Sequence, residues 1–432
     1  MVGILCESFH KPVGDLVTSA NAQADVDVLI VGAGPGGSTA AYHLARHGLD
    51  VLMVEKASFP REKVCGDGLT PRAVVQLQRL GIDTDDPRFE RNRGLRIYSR
   101  RVTLDLPWPE LEDFPSFGLT MTRASFDELL ARNAEKAGAR LLEETEVLGP
   151  TTDAEGWVTG ARLRGADDVE TSVRARYVIA SDGAPSRFAA QMGVRRDVAK
   201  PLGIAARRYY RIDHHPGPWL EVWMDLWAGD DIMPAYGWLF ALADGSANLG
   251  AGLLNTFTNF KDQSAQGVFD AFWRGLPPEW NVTEDSAEGR VLSGPLPMGG
   301  SRTPPAMPGM LVVGDAAGLV NPFNGEGIAY AMESAELAAE LVAEALVKDR
   351  AGIAHLYPTM LRERYGRYYR IGNNFVRAIG HPKVMRALTE YGLPQAWLMR
   401  FALRVMGNLT DGRKGDLQDR LMYSLERIAR AS

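Results

Sequence analysis

A glycine-rich turn between two apolar runs near the start of the chain constrains the fold more than any other feature. Residues 26–31 (VDVLIV) lead into Gly32-x-Gly34-x-x-Gly37, a helical segment follows, and the next apolar run ends at Glu55. In such a strand–turn–helix–strand unit the first glycine permits the tight turn, the second lets the backbone approach a pyrophosphate, and the third allows close helix–strand packing. An acidic residue about 20 positions after the turn can accept hydrogen bonds from ribose hydroxyls. The sequence therefore predicts a dinucleotide site on an α/β scaffold.

Two later strand–aspartate turns indicate which dinucleotide is bound. "YVIASDG" ends in Asp182 and Gly183, and "MLVVGDAAG" places Gly314 and Asp315 at the end of an apolar run, with a long helical segment after "NGEGI". A carboxylate at the carboxyl end of a strand can bond the ribitol hydroxyls of a flavin. Taken singly each is an ordinary Asp-Gly turn, but in this order behind the nucleotide motif they favour FAD over NAD. Since no covalent flavin-linking motif accompanies them, we expect non-covalent FAD.

Composition and charge exclude several classes of function. The 432 residues are 45% hydrophobic and 24% charged, with a formal net charge of −6. Nucleic-acid-binding proteins need a dominant basic surface, so we expect no nucleic-acid partner. Cys6 and Cys65 are the only cysteines and form no CxxC or zinc pattern, which predicts no metal site and a reducing, cytoplasmic environment. The sequence contains no apolar run of about 18 residues, the length that a helix needs to span a bilayer. Residues 1–24 lack the features of a secretory signal and are expected to form a flexible tail.

The stretch "KVCGDGLTPR", residues 63–72, places Cys65 beside Gly66 and Gly68. Glycines let a backbone approach a flat ring without a side-chain clash, so we expect this loop to pass close to the flavin. A thiol there is small, polarizable and weakly acidic, and can donate a proton, shape a substrate channel or simply fill space. Lys63 would lower the thiol pKa if the two side chains met. The sequence leaves a chemical role and a packing role for Cys65 open.

These motifs resemble the FAD-dependent superfamily that includes aromatic hydroxylases, flavin halogenases and geranylgeranyl reductases. Within it, "FPREKVCGDGL" is similar to the P-x-x-x-x-C-G motif of the geranylgeranyl reductases, and "YGWLFAL" to their Y-x-W-x-F-P motif. Ala241 stands where the second motif usually has proline. Among members of this family, "CGDGLTPRAV", "LPMGG" and "NGEGI" are most similar to stretches of the actinobacterial menaquinone reductases. The resemblance runs from about residue 25 to 410.

The resemblance implies a fold of three parts. They are an FAD-binding, three-layer Rossmann-like α/β domain, an interleaved antiparallel-sheet substrate domain and a helical C-terminal region, as in the aromatic hydroxylases. The expected boundaries are 25–93, 119–185 and 290–350 for the FAD-binding domain, 94–118 and 186–289 for the substrate domain, and 351–432 for the helical region.

Alternating stretches such as "WLEVWMDLWA" and "YGWLFALADG" support the antiparallel sheet. Aromatic residues crowd these stretches: Trp219, Trp223, Trp227, Tyr236, Trp238 and Phe240. We expect the sheet to roof a wide apolar cavity suited to a long hydrocarbon or an aromatic ring. Half or more of these rings are equally explained as ordinary core.

The motifs and the resemblance together give an expected set of site residues. The expected catalytic residues are Cys65 and Tyr236. The expected substrate-binding residues are Gly68, Tyr236, Trp238 and Phe240. The expected cofactor-binding residues are Gly32, Ala33, Gly34, Gly36, Gly37, Glu55, Lys56, Cys65, Gly66, Arg123, Val147, Asp182, Gly183, Gly314, Asp315, Gly325, Gly327 and Ile328. Arg61 and Arg72, which flank the cysteine loop, are weaker candidates for a phosphate contact.

The segment 361–432 differs in charge from the rest of the chain. It holds 14 Lys and Arg against 6 Asp and Glu, interleaved with aromatic residues. A basic helical region with aromatics can rest on an anionic membrane surface, and it can equally pair with the acidic body of the protein. The sequence predicts a cytoplasmic protein and, on the first interpretation, peripheral contact with the inner face of the cell membrane.

Three functions are consistent with these features. The first is an enzyme that saturates double bonds of an isoprenoid lipid or quinone with reduced FAD, by hydride transfer to one alkene carbon and protonation of the other. The second is an FAD monooxygenase or halogenase acting on an aromatic ring, and the third is a non-enzymatic prenyl carrier. The complete FAD motif disfavours the carrier, and the Cys-Gly and YxWxF motifs favour the reductase. Because no second GxGxxG motif is present, we expect NAD(P)H or another reductant to act as a transient electron donor.

Overall fold

The structure of the protein is a computed structural model. It describes residues 25–213, 217–228, 231–233, 235–258, 260–348 and 350–410. The predicted tail, 1–24, and residues 411–432 of the predicted basic segment lie outside the described residues.

Strands occupy much of the first three quarters of the chain. In chain order they are β1 Val26–Val31, β2 Val51–Val54, β3 Gly68–Leu69, β4 Glu90–Asn92, β5 Gly94–Tyr98, β6 Thr103–Pro107, β7 Gly118–Thr120, β8 Arg140–Leu142, β9 Glu146–Thr152, β10 Val158–Arg164, β11 Glu170–Ala180, β12 Arg195–Arg196, β13 Leu202–Arg211, β14 Leu220–Trp223, β15 Trp227–Ala228, β16 Asp231–Ile232, β17 Ala235–Ala241, β18 Ser246–Leu254, β19 Ala287–Pro297, β20 Arg302–Thr303, β21 Ala306–Met307 and β22 Met310–Val312.

Helices alternate with the early strands and dominate the last part of the chain. They are α1 Pro35–Arg46, α2 Pro71–Arg79, α3 Arg123–Lys136, α4 Arg187–Gln191, α5 Ala265–Arg274, α6 Ile328–Val347, α7 Tyr357–Ile379, α8 Pro382–Ala387 and α9 Ala396–Gly407. Within the described part of the chain, no helix is both long enough and apolar enough to cross a membrane.

A parallel sheet forms the first core. Its parallel strands run in the order β22-β11-β1-β2-β8, and β21 adds an antiparallel edge. The apolar run of β1 is almost completely buried, as expected for a central strand covered on both faces, and α1 packs against it and against α3 and α6. Parallel strands bring their carboxyl ends to one edge, so the turns after β1, β2, β11 and β22 lie side by side. The predicted nucleotide motifs therefore lie together at this edge of the sheet.

A second sheet has seven strands in the order β19-β13-β18-β17-β14-β5-β6. Most neighbours are antiparallel, as predicted, but β14 pairs with β5 in parallel because the chain returns to that edge after a long excursion. Helix α5 covers part of this sheet, and its Phe269 is fully buried there. The two-part α/β organisation confirms the predicted fold class, while the antiparallel description of the second sheet needs this one correction.

One predicted domain boundary and one predicted strand differ from the observed sheets. Strand β19 (Ala287–Pro297) belongs to the seven-stranded sheet through its pairing with β13, so the predicted boundary at 289/290 falls inside a strand. Strand β14 ends at Trp223, residues 224–226 of the predicted "WLEVWMDLWA" strand lie in no strand, and only Trp227–Ala228 pairs further, as β15 with β16. The division into domains stays a prediction.

The C-terminal helices close the molecule on two sides. Helix α7 buries a row of tyrosines against α6, of which Tyr365 and Tyr369 are stacked with ring centroids 5.5 Å apart. Helix α9 places Met399 and Leu403 against the edge strands β5 and β6, in a small core with Ile97 and Leu106. Helix α9 therefore covers the β5–β6 edge of the second sheet.

Glycines in β18 make room for the rings of the neighbouring strand. A Cβ at Gly250 would lie 2.1 Å from Cζ2 of Trp238, whereas at Gly275 the nearest atoms would be at an ordinary 3.4 Å. We expect Gly250→Ala to lower the free energy of unfolding by about 1–3 kcal/mol through overpacking, or more if Trp238 cannot move. Gly275→Ala is the matched control and should stay within about 0.5 kcal/mol of the parent. Urea denaturation followed by circular dichroism measures both, and equal stability of the two variants would contradict this packing argument.

Candidate active site

The first turn of the nucleotide motif has two positions, 32 and 37, at which close contacts require glycine. Gly32 has φ of 93°, and a Cβ on it would lie 2.7 Å from the Ser181 carbonyl oxygen. A Cβ on Gly37 would lie 1.9 Å from the carbonyl oxygen of Gly32, so only glycine permits this approach of α1 to β1. At Gly34, by contrast, the nearest atom to such a Cβ would be Arg61 Nη2, at 3.6 Å. The space in front of Gly34 is open and faces the start of α1, where backbone N–H groups favour an anion.

A network of two carboxylates and two arginines lies beside this turn. Glu55 Oε2 accepts a hydrogen bond from the Ala33 N–H at 3.2 Å and lies 3.1 Å from Arg61 Nη2. Asp127 accepts two hydrogen bonds of 2.7 Å from Arg123 and one of 2.9 Å from Arg61. Arg61 is therefore held next to Gly34, where a phosphate would lie.

The two later aspartates also reach the same edge of the parallel sheet. Asp182 Oδ2 accepts a hydrogen bond from the Phe188 N–H at 2.9 Å, while its Oδ1 is buried without a partner in the described residues. Burial raises the pKa of Asp182. Asp315 follows β22, and a Cβ on Gly327 would lie 3.0 Å from its Oδ1. Gly327 thus lets the loop before α6 pass close to the Asp315 carboxylate.

One cavity of about 710 Å³ connects these groups. Of the predicted site residues, only Ala33 and Gly37 do not line it. Both lie beneath the turn, where the Ala33 N–H donates to Glu55 and Gly37 packs against Gly32. The open space at Gly34, the unpartnered Asp182 oxygen and the carboxylate at Asp315 fit a dinucleotide with ribose and ribitol hydroxyls. The residues present therefore fit FAD, whereas the individual roles of the predicted site residues stay predictions.

The cysteine loop is fixed by Asp67, a residue that no sequence pattern selects. Asp67 is fully buried with φ of 65°, and its carboxylate accepts hydrogen bonds from Tyr209 Oη at 2.8 Å and Asn248 Nδ2 at 2.7 Å. The backbone N–H of Arg123 donates to it at 3.2 Å. Burial raises the pKa of Asp67 to about 6, although the two side-chain donors partly offset the shift. This carboxylate ties the loop to both the second sheet and α3.

Cys65 is half-buried and lines the cavity. Its Sγ accepts a weak hydrogen bond from the Asp67 N–H at 3.4 Å. Burial raises the pKa of the Cys65 thiol, and the cation that opposes this shift is Arg123 rather than the predicted Lys63. Lys63 instead lies near Gly183, where a Cβ would be 3.6 Å from its Nζ. The proposed activation of the thiol by Lys63 is therefore not supported.

Three rings of β17 form the predicted aromatic wall. Tyr236, Trp238 and Phe240 alternate along the strand, so they share one face and line the cavity. Trp238 donates from Nε1 to Asn248 Oδ1 at 3.0 Å, and Asn248 donates to the Cys65 carbonyl oxygen at 2.8 Å. The wall and the cysteine loop are thus connected by direct hydrogen bonds.

Gly66 and Gly68 leave room for the rings of this wall. A Cβ on Gly66 would lie 3.2 Å from Trp238 Nε1, and one on Gly68 would lie 3.1 Å from Phe240 Cε2. These glycines thus make room for the rings of the aromatic wall, and the expected approach of the loop to a flavin stays a prediction. Trp219, Trp223 and Trp227 do not line the cavity; Trp223, for example, stacks on Tyr98 with ring centroids 4.7 Å apart.

Glu326, which lines the cavity, and Glu333, which does not, are two further acidic groups that no sequence signal selects. Glu326, between the two glycines of "NGEGI", lines the cavity and accepts a hydrogen bond from Thr70 Oγ1 at 2.5 Å. Glu333, two turns further on, is bound by Arg72 at 2.6 Å. Arg72 is therefore engaged with α6, and unlike Arg61 it is not placed beside the phosphate-facing turn.

Comparisons with known proteins identify the family. Residues 25–207 match the model of an FAD binding domain. The chain is 36% identical to the menaquinone reductase of Mycobacterium tuberculosis over 384 residues, which covers 89% of this chain and 91% of the relative. It is 31% identical over 360 residues to the digeranylgeranylglycerophospholipid reductase of Thermoplasma volcanium, covering 78% and 87% of the two chains. The chain belongs to the geranylgeranyl reductase family of FAD-dependent oxidoreductases.

Solved structures agree with this assignment. A geranylgeranyl bacteriochlorophyll reductase-like protein from Thermoplasma acidophilum superposes with a TM-score of 0.74 at 26% identity, over 93% of this chain and 99% of that protein. A flavin-dependent brominase shares the fold at a TM-score of 0.68 but at only 19% identity, over 94% and 100% of the two chains. The predicted family, the FAD cofactor and the oxidoreductase class are confirmed, and membership of an FAD-dependent oxidoreductase family argues against the non-enzymatic carrier.

The open space at Gly34 allows the cofactor site to be tested without disturbing the fold. A Cβ at this position would make only ordinary contacts, at 3.6 Å to Arg61 Nη2 and 3.9 Å to Asp127 Oδ2, so the backbone at Gly34 admits a side chain and Gly34→Leu should fold. Its side chain would project into the space in front of α1 and should abolish FAD binding, because the pyrophosphate needs that space. Flavin absorbance of the purified variant, with circular dichroism as the control for folding, measures the effect. Retention of stoichiometric FAD by folded Gly34→Leu would show that the pyrophosphate lies elsewhere.

Proposed function

We propose that this reductase saturates one or more double bonds of an isoprenoid chain, carried by a menaquinone or a geranylgeranyl lipid. The observation that carries the proposal is the continuity of the cavity, which extends from the nucleotide turn to an apolar arm. That arm is lined by Leu95, Ile97, Leu106, Trp108, Leu220, Val222, Met224, Met399, Leu403 and Met406. A long hydrocarbon chain buries its surface favourably against such side chains. The names of the relatives in Mycobacterium tuberculosis and Thermoplasma volcanium support the same substrate class.

FAD, when reduced by NAD(P)H or another transient donor, supplies the hydride for the alkene. The chain's own residues bind the alkene and keep water away. Tyr236, Trp238 and Phe240 present flat apolar faces to the cavity, and the arm beyond them holds the remainder of the chain. Tyr236 is fixed by donating a hydrogen bond to the Asn324 carbonyl oxygen at 3.2 Å.

Cys65 and Tyr236 remain the residues predicted from the sequence to act in catalysis. Burial raises the pKa of Tyr236 to about 12 and raises that of Cys65 as well. The hydroxyl proton of Tyr236 is also engaged with a backbone carbonyl. Both groups stay protonated at neutral pH but are weak acids, so their best-supported roles are binding the substrate and shaping the wall.

An aromatic monooxygenase or halogenase is the alternative. The brominase comparison supports only the shared fold, because the identity is 19%. The apolar arm is lined by ten hydrophobic side chains with no charged group among them, which favours a hydrocarbon chain. The reductase is therefore the function that we propose.

The reaction itself gives the direct test. Under anaerobic conditions, chemically reduced enzyme incubated with a polyprenyl quinone or a geranylgeranyl lipid should return oxidised flavin and a product heavier by two hydrogens per event. Mass spectrometry of the extracted lipid and the flavin spectrum measure the two sides of the reaction. In air, a product heavier by one oxygen atom, formed with stoichiometric oxygen uptake, would show that the enzyme is a hydroxylase and not a reductase.

We further propose that the enzyme meets its lipid at an anionic membrane through an exposed surface near the end of the described chain. Val384, Leu388, Tyr391 and Trp397 are 39%, 41%, 72% and 68% exposed, and we call them the C-terminal apolar face. The exposed cations Lys383, Arg386 and Arg400 interleave with this face along the chain. The same segment contributes Met399 and Leu403 to the apolar arm. Apolar insertion and attraction of cations to anionic lipid therefore act at one place.

Vesicle sedimentation tests the C-terminal apolar face. The full chain with serines at Val384, Leu388, Tyr391 and Trp397 should bind vesicles of phosphatidylglycerol and phosphatidylcholine at least roughly tenfold more weakly than the parent, because the apolar insertion is lost. Serines at the exposed Val169 and Val198 form the matched control and should leave binding unchanged. Equal binding by both variants, or equal binding of the parent to neutral vesicles, would contradict this part of the proposal. Turnover of detergent-dispersed substrate should be the same in all three proteins.

A further inference from the structure

The carboxyl group of Glu326 has a position that no role assigned so far explains. It stands between Gly325 and Gly327 in the loop before α6 and lines the cavity. Its Oε1 accepts the Thr70 hydroxyl at 2.5 Å, while Oε2 is buried with no partner in the described residues. A buried carboxylate oxygen without a hydrogen-bond partner is costly, so the group favours its protonated, neutral form.

The glycines on either side of Glu326 lie close to both halves of the site. A Cβ at Gly325 would lie 3.2 Å from Tyr236 Oη on the aromatic wall, and one at Gly327 would lie 3.0 Å from Asp315 Oδ1 at the end of β22. Thr70 follows β3, the short strand that continues the cysteine loop. Glu326 is thus placed where the cofactor edge, the aromatic wall and the cysteine loop meet.

The charges around Glu326 allow the protonated form to persist. The nearest cation, Arg72, binds Glu333 at 2.6 Å and the Asn408 carbonyl oxygen at 2.9 Å, so it makes no ion pair with Glu326. Tyr330 and the Glu333 carboxylate also face it from α6. Burial raises the pKa of Glu326 to about 7, and Thr70 and Arg72 only partly offset the shift. A general acid is most effective when its pKa lies near the working pH.

We propose that Glu326, hydrogen-bonded to Thr70, is the acid that protonates the substrate alkene. This inference rests on the proposed isoprenoid reduction. One alkene carbon gains a hydride from the reduced cofactor, the π bond breaks, and the other carbon forms a C–H bond with the proton of the Glu326 carboxyl. Glu326 is left as a carboxylate and takes a new proton from solvent before the next turnover, while the external reductant restores the cofactor.

The carboxyl can first be measured without any cofactor. Infrared spectroscopy of the flavin-free protein should show a protonated carboxyl band that disappears as the pH rises through about 7. Asp67 and Glu221, whose pKa values burial raises to about 6 and about 7, contribute carboxyl bands of their own. The Glu326 component is therefore the part of the titrating band that Glu326→Gln removes and that Glu340→Gln, the same substitution at an exposed position of α6, leaves unchanged. Since burial raises the pKa of Glu326, protonation persists in the folded protein above the usual range for glutamate. A wild-type spectrum with no titrating band that Glu326→Gln removes overturns the proposal, whatever the substrate proves to be.

Single-turnover kinetics then test the role. In wild-type enzyme loaded with FAD and reduced anaerobically, the rate of flavin oxidation by a polyprenyl quinone should fall tenfold per pH unit above about 7. Glu326→Gln should keep FAD affinity and flavin potential but react 10²–10⁴-fold more slowly, with a pH-independent remainder. Glu326→Asp should recover part of the rate.

Glu340→Gln serves as the comparison and should stay near the wild-type rate, because Glu340 is exposed on α6 and does not line the cavity. A wild-type rate and pH profile in Glu326→Gln overturns the proposal, as does a rate loss fully accounted for by weaker FAD binding. If wild-type enzyme reduces no isoprenoid at all, it is the proposed function that fails, and the infrared result still decides whether Glu326 is a neutral acid.

Discussion

The arrangement of the site depends on one buried carboxylate, Asp67. An ionised carboxylate inside a protein is tolerated only when its oxygens are fully hydrogen-bonded, and Asp67 obtains its donors from three separate elements: Tyr209 on β13, Asn248 on β18 and the backbone N–H at the start of α3. Each donor must therefore remain in place for the folded state to keep its stability. Because Asp67 lies two residues after Cys65, the same bonds fix where the thiol faces. The left-handed backbone at Asp67, which aspartate tolerates better than most residues, turns the chain so that the carboxylate points inward.

The cofactor half of the fold could be predicted from the sequence because its signals are local. The order of strand, glycine turn and helix around Gly34 specifies both the backbone path and the open space in front of α1. Asp182 and Asp315 each follow an apolar strand, and parallel strands bring such ends together. Long-range partners have no comparable signal: nothing near Asp67 in the sequence indicates Tyr209 or Asn248, about 140 and 180 positions away. The pairing of β14 with β5 was missed for the same reason, since a strand's apolar pattern is the same whether its neighbour is parallel or antiparallel.

Two glutamates, one in the loop before α6 and one in its second turn, show how tertiary contacts give identical side chains different chemistry. Although burial opposes ionisation, Arg72 and Arg364 hold the pKa of Glu333 below its usual value. Glu326 lies seven residues earlier and is also buried, but Arg72 is already committed to Glu333. Its pKa is raised instead. The sequence "NGEGIAYAMES" contains both residues and gives no hint of which one keeps its proton.

The ring of Trp238 occupies a slot between two glycines from different parts of the chain, Gly66 of the cysteine loop and Gly250 of β18. Residues that share one contact surface do not contribute independently to stability. In evolution, a methyl group gained on either side of the slot requires a smaller ring at position 238, and a smaller ring opens a gap that one of the glycines can fill. The packing therefore predicts that positions 66, 238 and 250 covary among relatives. Because Trp238 also lines the cavity, such paired changes can alter the width of the cavity without loss of packing.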